Sequence, residues 1–373
     1  MKRYKITLEQ IADIENCKRA IKHASKRKRN RPRVMRILER LDDYAARLRA
    51  FLLDGNAHFH DGQRAVINEG THKKRRELAK PVFFPDQCAH WAIMQILSPC
   101  LIRTFYPYSC SCIKGRGVHY AKRNVQRFLK DVKNTKYCAQ LDIKSFYASV
   151  DKDILIKLFK RKIKDARITA LLEKVVYSYS GAGLPLGYYT SAPFANFYLS
   201  GADRYIKENL HIPYEVRYAD DIVLYSGNKR DLHRARRALA IYIEKRRKLR
   251  LKSNWQIYKM PYLRSKAPKD YKERRRATDF VGFKFYRYKT TIRKSIFLNI
   301  TRGIRKILKS GYTPPRVHAF ISRMGYIKHS DSLNVRRKYI DGKINFKKIK
   351  EIAKHETRHF NVFHRAPAKF VTA

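Results

Sequence analysis

Residues 215–226 read EVRYADDIVLYS, with two adjacent aspartates between two apolar runs. Asp is a common turn residue, so a surface turn is the first reading. The flanks argue for more. Tyr214, Val216 and Tyr218 alternate on one side, and Ile222, Val223 and Leu224 follow on the other. Two such runs about a tight turn predict a hairpin that carries Asp220 and Asp221 to the edge of a core. Carboxylates there are costly to desolvate unless a cation meets them.

A third carboxylate stands in KYCAQLDIKSFYASVD, where Asp142 lies near the end of the β-rich run 137–143. Carboxylates from two neighbouring strands suit two Mg2+ ions about 4 Å apart, the spacing of in-line phosphoryl transfer, with Mn2+ as an alternative. The surrounding pattern is consistent with such a sheet. Asp151 starts a helix, DKDILIKLFKRKIKD, with Ile154, Leu155, Leu158 and Phe159 on its apolar stripe. TSAPFANFYLSGADRYI starts another, with Thr190 or Ser191 as cap and Pro193 in its first turn. It buries Phe194, Phe197, Tyr198, Ala202, Tyr205 and Ile206. A basic helix is expected over 231–248, and strands over 255–260 and 280–288. The order strand, helix, helix, hairpin, helix, strand predicts an α+β fold, an antiparallel sheet backed by helices.

The ends are basic and helical. Leu8, Ile11, Ile14 and Ile21 have helical spacing, and the run 22–33, KHASKRKRNRPR, reads as a disordered basic arm or an RNA contact. Residues 82–105 read as a strand end followed by a buried helix. In all, 85 Lys and Arg face 31 Asp and Glu, a net charge of +54 in 373 residues. That excess calls for a polyanion, and a long nucleic acid is the favoured partner. No run of 18 apolar residues and no secretory h-region is present, so neither a membrane nor export is expected. The six cysteines show no metal-site or disulfide spacing and read as reduced thiols of a cytoplasmic protein.

Tyr218-Ala219-Asp220-Asp221 resembles the YxDD box of reverse transcriptases. LDIKSFYASVD resembles their first palm motif, GLPLGYYTSAPFANFYL the segment between the two, and FVGFKF, at 280–285, their primer grip. The resemblance implies a right-hand polymerase that copies RNA into DNA. It implies fingers at 51–133 and 152–185, a palm at 134–151 and 186–288, a thumb and basic C-terminal region at 289–373, and a basic helical region at 1–50. Asp142, Asp220 and Asp221 would be the catalytic, metal-binding carboxylates, helped by the Ile143 carbonyl. Tyr147 falls on the steric gate that excludes a ribose 2′-OH. Leu186 and Gly187 would border the incoming dNTP. Lys114, Arg116 and the basic run from Lys73 to Arg76 would reach its triphosphate, and Lys252 the leaving pyrophosphate. Val281, Gly282 and Phe283 would form the primer grip.

Retron and group II intron enzymes usually have Gln where this chain has Leu186. The aliphatic residue, and FISRMGYIKHSDSLNVRRKYI in the tail, resemble the enzymes of diversity-generating retroelements. That type implies errors at template adenines, a structured template RNA that also primes synthesis, the RNA–cDNA duplex, and a small basic accessory protein, the accessory variability determinant, assembled as a ring. One departure stands: Ala192 follows Thr190-Ser191 where the type has Gln. A retron-like or phage-defence enzyme is the alternative. A catalytically inactive RNA-binding scaffold or maturase is a third reading, against which three retained carboxylates argue.

Overall fold

The computed structural model describes residues 3–69, 74–262 and 276–362. Lys73 and residues 363–373 of the basic C-terminus lie outside the described residues. The chain divides into two compact units, one of Met1–Gly117 with Ala139–Ile257, the other of Val118–Cys138 with Tyr258–Ala373.

In the first unit Thr7 opens α1 (Leu8–Ile11) with a capping box closed by Gln10. Asp13 then accepts from the Asn16 amide and starts α2 (Ile14–Ala24). The helical run expected from Leu8 to Ile21 is thereby interrupted, because Asp serves a cap better than a helix interior. The basic run 22–33 is no free arm. Turns after α2 lead into α3 (Pro32–Glu39), and Lys28 donates to Gln87 Oε1 (2.5 Å). After α4 (Leu41–Leu53), β1 (Gln63–Glu69) and β2 (Lys74–Lys80) form an antiparallel ribbon. The strand end expected at residue 82 is not there. The ribbon stops at Lys80, since Pro81 and Pro85 lack the N–H a ladder needs, and a kinked segment with Phe84 extended leads into the largely buried α5 (Cys88–Ile102).

β3 (Ser109–Cys110), α6 (Val118–Phe128, in the second unit) and β4 (Tyr137–Asp142) follow. Asp151 caps α7 (Lys152–Lys162), whose buried face holds Leu155, Ile156 and Phe159, with Ile156 in the place expected of Ile154. Next come α8 (Ala166–Tyr177) and α9 (Ser191–Arg204). Pro193 lies in the first turn of α9, but neither Thr190 nor Ser191 makes a side-chain cap. β5 (Tyr214–Tyr218) and β6 (Asp221–Ser226) form the hairpin, then α10 (Lys229–Arg247) buries Leu232, Ala235, Leu239 and Ile243. With β7 (Gln256–Lys259), the five-stranded sheet runs β3-β5-β6-β4-β7. Its edge pair β3 and β5 is parallel. The β5–β6 pair is antiparallel.

The second unit carries a three-stranded sheet of β8 (Thr278–Phe280), β9 (Phe283–Phe285) and β10 (Thr290–Ile292). The single strand expected over 280–288 is broken there. Val281 (φ 45°) and Gly282 (φ 87°) form a two-residue turn with both residues left-handed, the primed geometry that suits a hairpin twist. Helices α11 (Lys294–Ser310), α12 (Pro314–Lys328), α13 (Leu333–Tyr339) and α14 (Phe346–Val362) follow. Ile300, Ile304, Val317, Phe320 and Ile340 are central to their core. Among the described residues no helix is long and apolar enough to cross a membrane.

His90 on α5 is fully buried between Phe59 and Tyr188, and neither ring nitrogen has a hydrogen-bond partner. Burial lowers its pKa from the ordinary 6.5 to about 3. The unfolded chain therefore binds a proton that the folded chain refuses. Stability associated with the neutral ring is complete above pH 6.5 and is lost as pH falls toward 3. Denaturant titrations at pH 7 and pH 5 should show a larger loss on acidification for the wild type than for His90→Leu. Equal losses would show that His90 is not the titrating group.

Candidate active site

The β5–β6 hairpin closes through Ala219 and Asp220, since Tyr218 pairs directly with Asp221. Ala219 takes φ 54°, a left-handed conformation that costs a residue with a Cβ about 1–2 kcal/mol. The strained turn presents Asp220 half-buried at its tip and Asp221 at the exposed start of β6. Burial raises the Asp220 pKa, and the nearby Asp142 carboxylate adds to the rise, while Lys252 and Arg76 oppose it.

Asp142 ends β4, and the chain that follows is held by the segment before β7. Ile143, fully buried, bridges to Leu251, the Lys252 amide donates to the Asp142 carbonyl (2.8 Å), and the Lys144 amide to the Arg250 carbonyl (2.8 Å). The Lys252 ammonium donates to Asp142 Oδ2. Asp142 Oδ1 is shielded from solvent and has no hydrogen-bond partner. An oxygen in that condition is costly to keep, and a hard cation is its natural partner. The donor set of Asp142, Asp220 and Asp221 thus fits Mg2+ chemically. Among the described residues no three His, Cys, Asp or Glu side chains are gathered closely enough to hold a metal by themselves. That suits an ion that takes part of its shell from substrate phosphates and water.

Tyr147 lies in a 3-10 turn, Phe146–Ser149, opened by Ser145 at φ 47°. Burial pushes its phenol pKa up, with further rises from Cys112, Asp220 and Tyr218. Its carbonyl accepts from the Leu184 amide (2.8 Å). Gly183 takes φ 66°, and a Cβ there would stand 2.2 Å from the Tyr147 carbonyl oxygen. Gly187, at φ 112°, approaches β2 so closely that a Cβ would lie 2.4 Å from the Ala79 carbonyl oxygen. The Leu186 carbonyl accepts from the Ala79 amide (2.8 Å). The 183–187 loop is therefore pinned to β2 on one side and to Tyr147 on the other.

The other expected residues are less gathered. Arg76, on β2, acts on Asp220. Arg116 donates from Nη1 to the Tyr106 carbonyl (3.2 Å), and Lys114 is exposed on the same turn. Lys252, expected at the pyrophosphate, is engaged with Asp142. Val281 and Gly282 form the β8–β9 turn in the second unit, and Phe283 behind them is buried. Not foreseen was a polar cluster beneath the turn. Glu215 and Arg217 alternate with the side chains the sequence singled out, and both are buried, with α9 contributing Asn196 and Asp203 to Arg217. The signal was present as two charged residues inside an otherwise apolar strand.

Residues 73–285, more than half of the chain, match the model of the family described as reverse transcriptase (RNA-dependent DNA polymerase). The chain belongs to that family. Two curated relatives are protein YkfC of Escherichia coli K12, 27% identical over 172 residues, and the group II intron-encoded protein LtrA of Lactococcus lactis subsp. cremoris, 26% identical over 220 residues. The YkfC match covers 43% of this chain and 45% of that protein, and the LtrA match 53% and 36%. The chain thus spans less than half the length of either. Among solved structures, apo telomerase from Candida tropicalis superposes with a TM-score of 0.50 at 13% identity, covering 83% of this chain and 60% of that one. The likeness concerns the fold, a right-hand polymerase of mixed α+β type.

Proposed function

We propose that the chain is an RNA-directed DNA polymerase that adds dNTPs to a primer on an RNA template. The observation that carries this is Asp142 Oδ1, a buried and unpartnered carboxylate oxygen close enough to Asp220 to raise its pKa. Asp142, Asp220 and Asp221 are the residues that would hold Mg2+. When bound, Mg2+ acidifies the primer 3′-hydroxyl and neutralises charge on the triphosphate. Lys252 balances Asp142 in the free protein. Arg76 offers its charge to the triphosphate, and Tyr147 forms the wall beneath the sugar. Lys114, Arg116 and the Val281–Phe283 turn are assigned to triphosphate and primer on the family resemblance alone. So are the ranges for fingers, palm and thumb.

A basic cleft of about 620 Å³, lined by Lys28, Arg31, Arg33, Lys80 and Gly187 among others, supports a nucleic-acid strand beside the 183–187 loop. The six free cysteines support a reducing, cytoplasmic setting. The whole-chain test is Mg2+-dependent extension of a primer on RNA by the purified protein. Absence of incorporation with every primed RNA and DNA template would leave the scaffold reading in place.

Within this class the proposal is the diversity-generating type, with error at template adenines, a structured template RNA and a ring-forming basic accessory protein. Leu186 supports it. The backbone of this residue is pinned to Ala79, so an apolar side chain, partly exposed, stands where accurate relatives have a Gln. Leu has no donor or acceptor with which to favour a correct pair. Restoring one such contact, worth about 1 kcal/mol, changes discrimination several-fold. Sequenced cDNA should show wild-type errors concentrated at adenines and reduced several-fold by Leu186→Gln. A wild-type error rate at adenines equal to that at other bases would favour the retron-like or defence enzyme.

A further inference from the structure

The polar cluster beneath the carboxylate turn is entirely buried. Arg217 on β5 is 1% exposed and Asp203 on α9 is 0%. Arg217 donates from Nε and Nη2 to the two Asp203 oxygens, each at 2.6 Å, and Ser109 Oγ donates to Asp203 Oδ2 (2.5 Å). The remaining nitrogen, Nη1, reaches two acceptors, Asn196 Oδ1 (3.0 Å) and the Ala219 carbonyl (2.9 Å). Asn196, about two helical turns before Asp203 on the same face of α9, sends its own amide to the Ser111 carbonyl (2.8 Å).

The two backbone carbonyls this cluster captures belong to strained segments. Ala219 is left-handed at φ 54°, and Ser111 and Cys112 are left-handed at φ 82° and φ 52°. Such conformations persist only where the surroundings over-determine them. Ala219 precedes Asp220 in the turn. Cys112 lies close enough to Tyr147 and Tyr189 to act on both phenols. A buried ion pair contributes little net stability compared with apolar residues of like volume, so this one calls for a geometric account.

We propose that Arg217, Asn196 and Asp203 are positioning residues for the polymerase chemistry. Through Asn196, one guanidinium ties the Ala219 turn to the Ser111–Cys112 segment. The Ala219–Asp220 turn and the Ser111–Cys112 segment then keep one relative position. None of the three touches substrate. The inference rests on the polymerase reading above.

Asn196→Ala removes the side-chain link between the two segments and leaves the Arg217–Asp203 pair and the β3–β5 backbone pairing. Arg217→Lys keeps the charge for Asp203 and loses the fork that reaches Asn196 and Ala219. In both variants hydrogen–deuterium exchange should rise about tenfold in segments 109–113 and 218–221 together, with α10 unchanged, as loss of one hydrogen bond implies. The kcat on a primed RNA template should fall at least about tenfold, while the KM for dNTP and RNA affinity change less than about twofold. A rise in exchange spread evenly over the unit, matching a lowered melting temperature, would mean a purely structural role and overturn the inference. If Asn196→Ala does not fold, Ser109→Ala removes only the hydroxyl from Asp203 and should loosen the same two segments to a smaller degree; unchanged exchange overturns the inference. A wild-type chain without incorporation overturns the polymerase reading itself. An active wild type matched by its variants in kcat and in exchange overturns this inference alone.

Discussion

Asp142→Ala and Asp220→Ala should each lower Mg2+-dependent dNTP incorporation by at least about 10³-fold, with binding to structured RNA little changed. The magnitude follows from removing a group that stabilises charge only as the reaction proceeds, worth about 4 kcal/mol. Binding survives because neither carboxylate contributes attraction to phosphate, and the net charge of +54 remains nearly the same. The two variants differ in one respect. Asp142→Ala also leaves the Lys252 ammonium without its carboxylate, so a modest loss of stability accompanies the loss of activity. Asp220→Ala relieves a half-buried carboxyl and should not destabilise. Single-turnover extension, filter binding and thermal melting on the same preparations check all three points. Full incorporation by either variant would remove the site.

Tyr147→Ala should admit ribonucleotides. The backbone that carries the ring is held, because the Tyr147 carbonyl is bonded to the Leu184 amide and Gly183 leaves no space between the loop and the 3-10 turn. The main chain therefore cannot carry the ring away when a 2′-OH is pressed against it. Forcing one extra atom into such packing costs about 1–3 kcal/mol, a preference for dNTP of about 5- to 150-fold, and truncation to Ala should remove most of it. The comparison is kcat/KM for dNTP and rNTP in both proteins on one template. An unchanged ratio would make Tyr147 an ordinary core aromatic. Gly183→Ala supplies a control of opposite logic. It disturbs the backbone that carries the ring while keeping the ring itself, so discrimination should fall with Tyr147 still present.

Local sequence was sufficient wherever the signal is periodic or confined to neighbours. Asp220 and Asp221 could be placed at a hairpin because two apolar runs flank them closely. Asp142 could be placed at a strand end, and the buried faces of α9 and α10 could be read from their spacing. The α+β class and the right-hand polymerase fold were legible from the order of those elements together with the motif resemblance. Register was less so. Val281 looks like the middle of a strand, and only the following glycine hints at a turn. A β-branched residue at positive φ is rare enough that neighbours must impose it.

Tertiary structure decided what each charge meets. Lys252 is 110 residues from Asp142, yet the bridge between Ile143 and Leu251 sets it on that carboxylate. Arg217 alternates with Val216 like a solvent-facing residue, and becomes a buried anchor only because α9 covers that face of β5 with Asn196 and Asp203. Periodicity reports which side of an element a residue occupies, since that depends on the backbone's own repeat. It does not report whether the side is covered, or by which partner. Those depend on long-range packing, and for a buried charge the partner decides whether desolvation is a cost or is offset by hydrogen bonds.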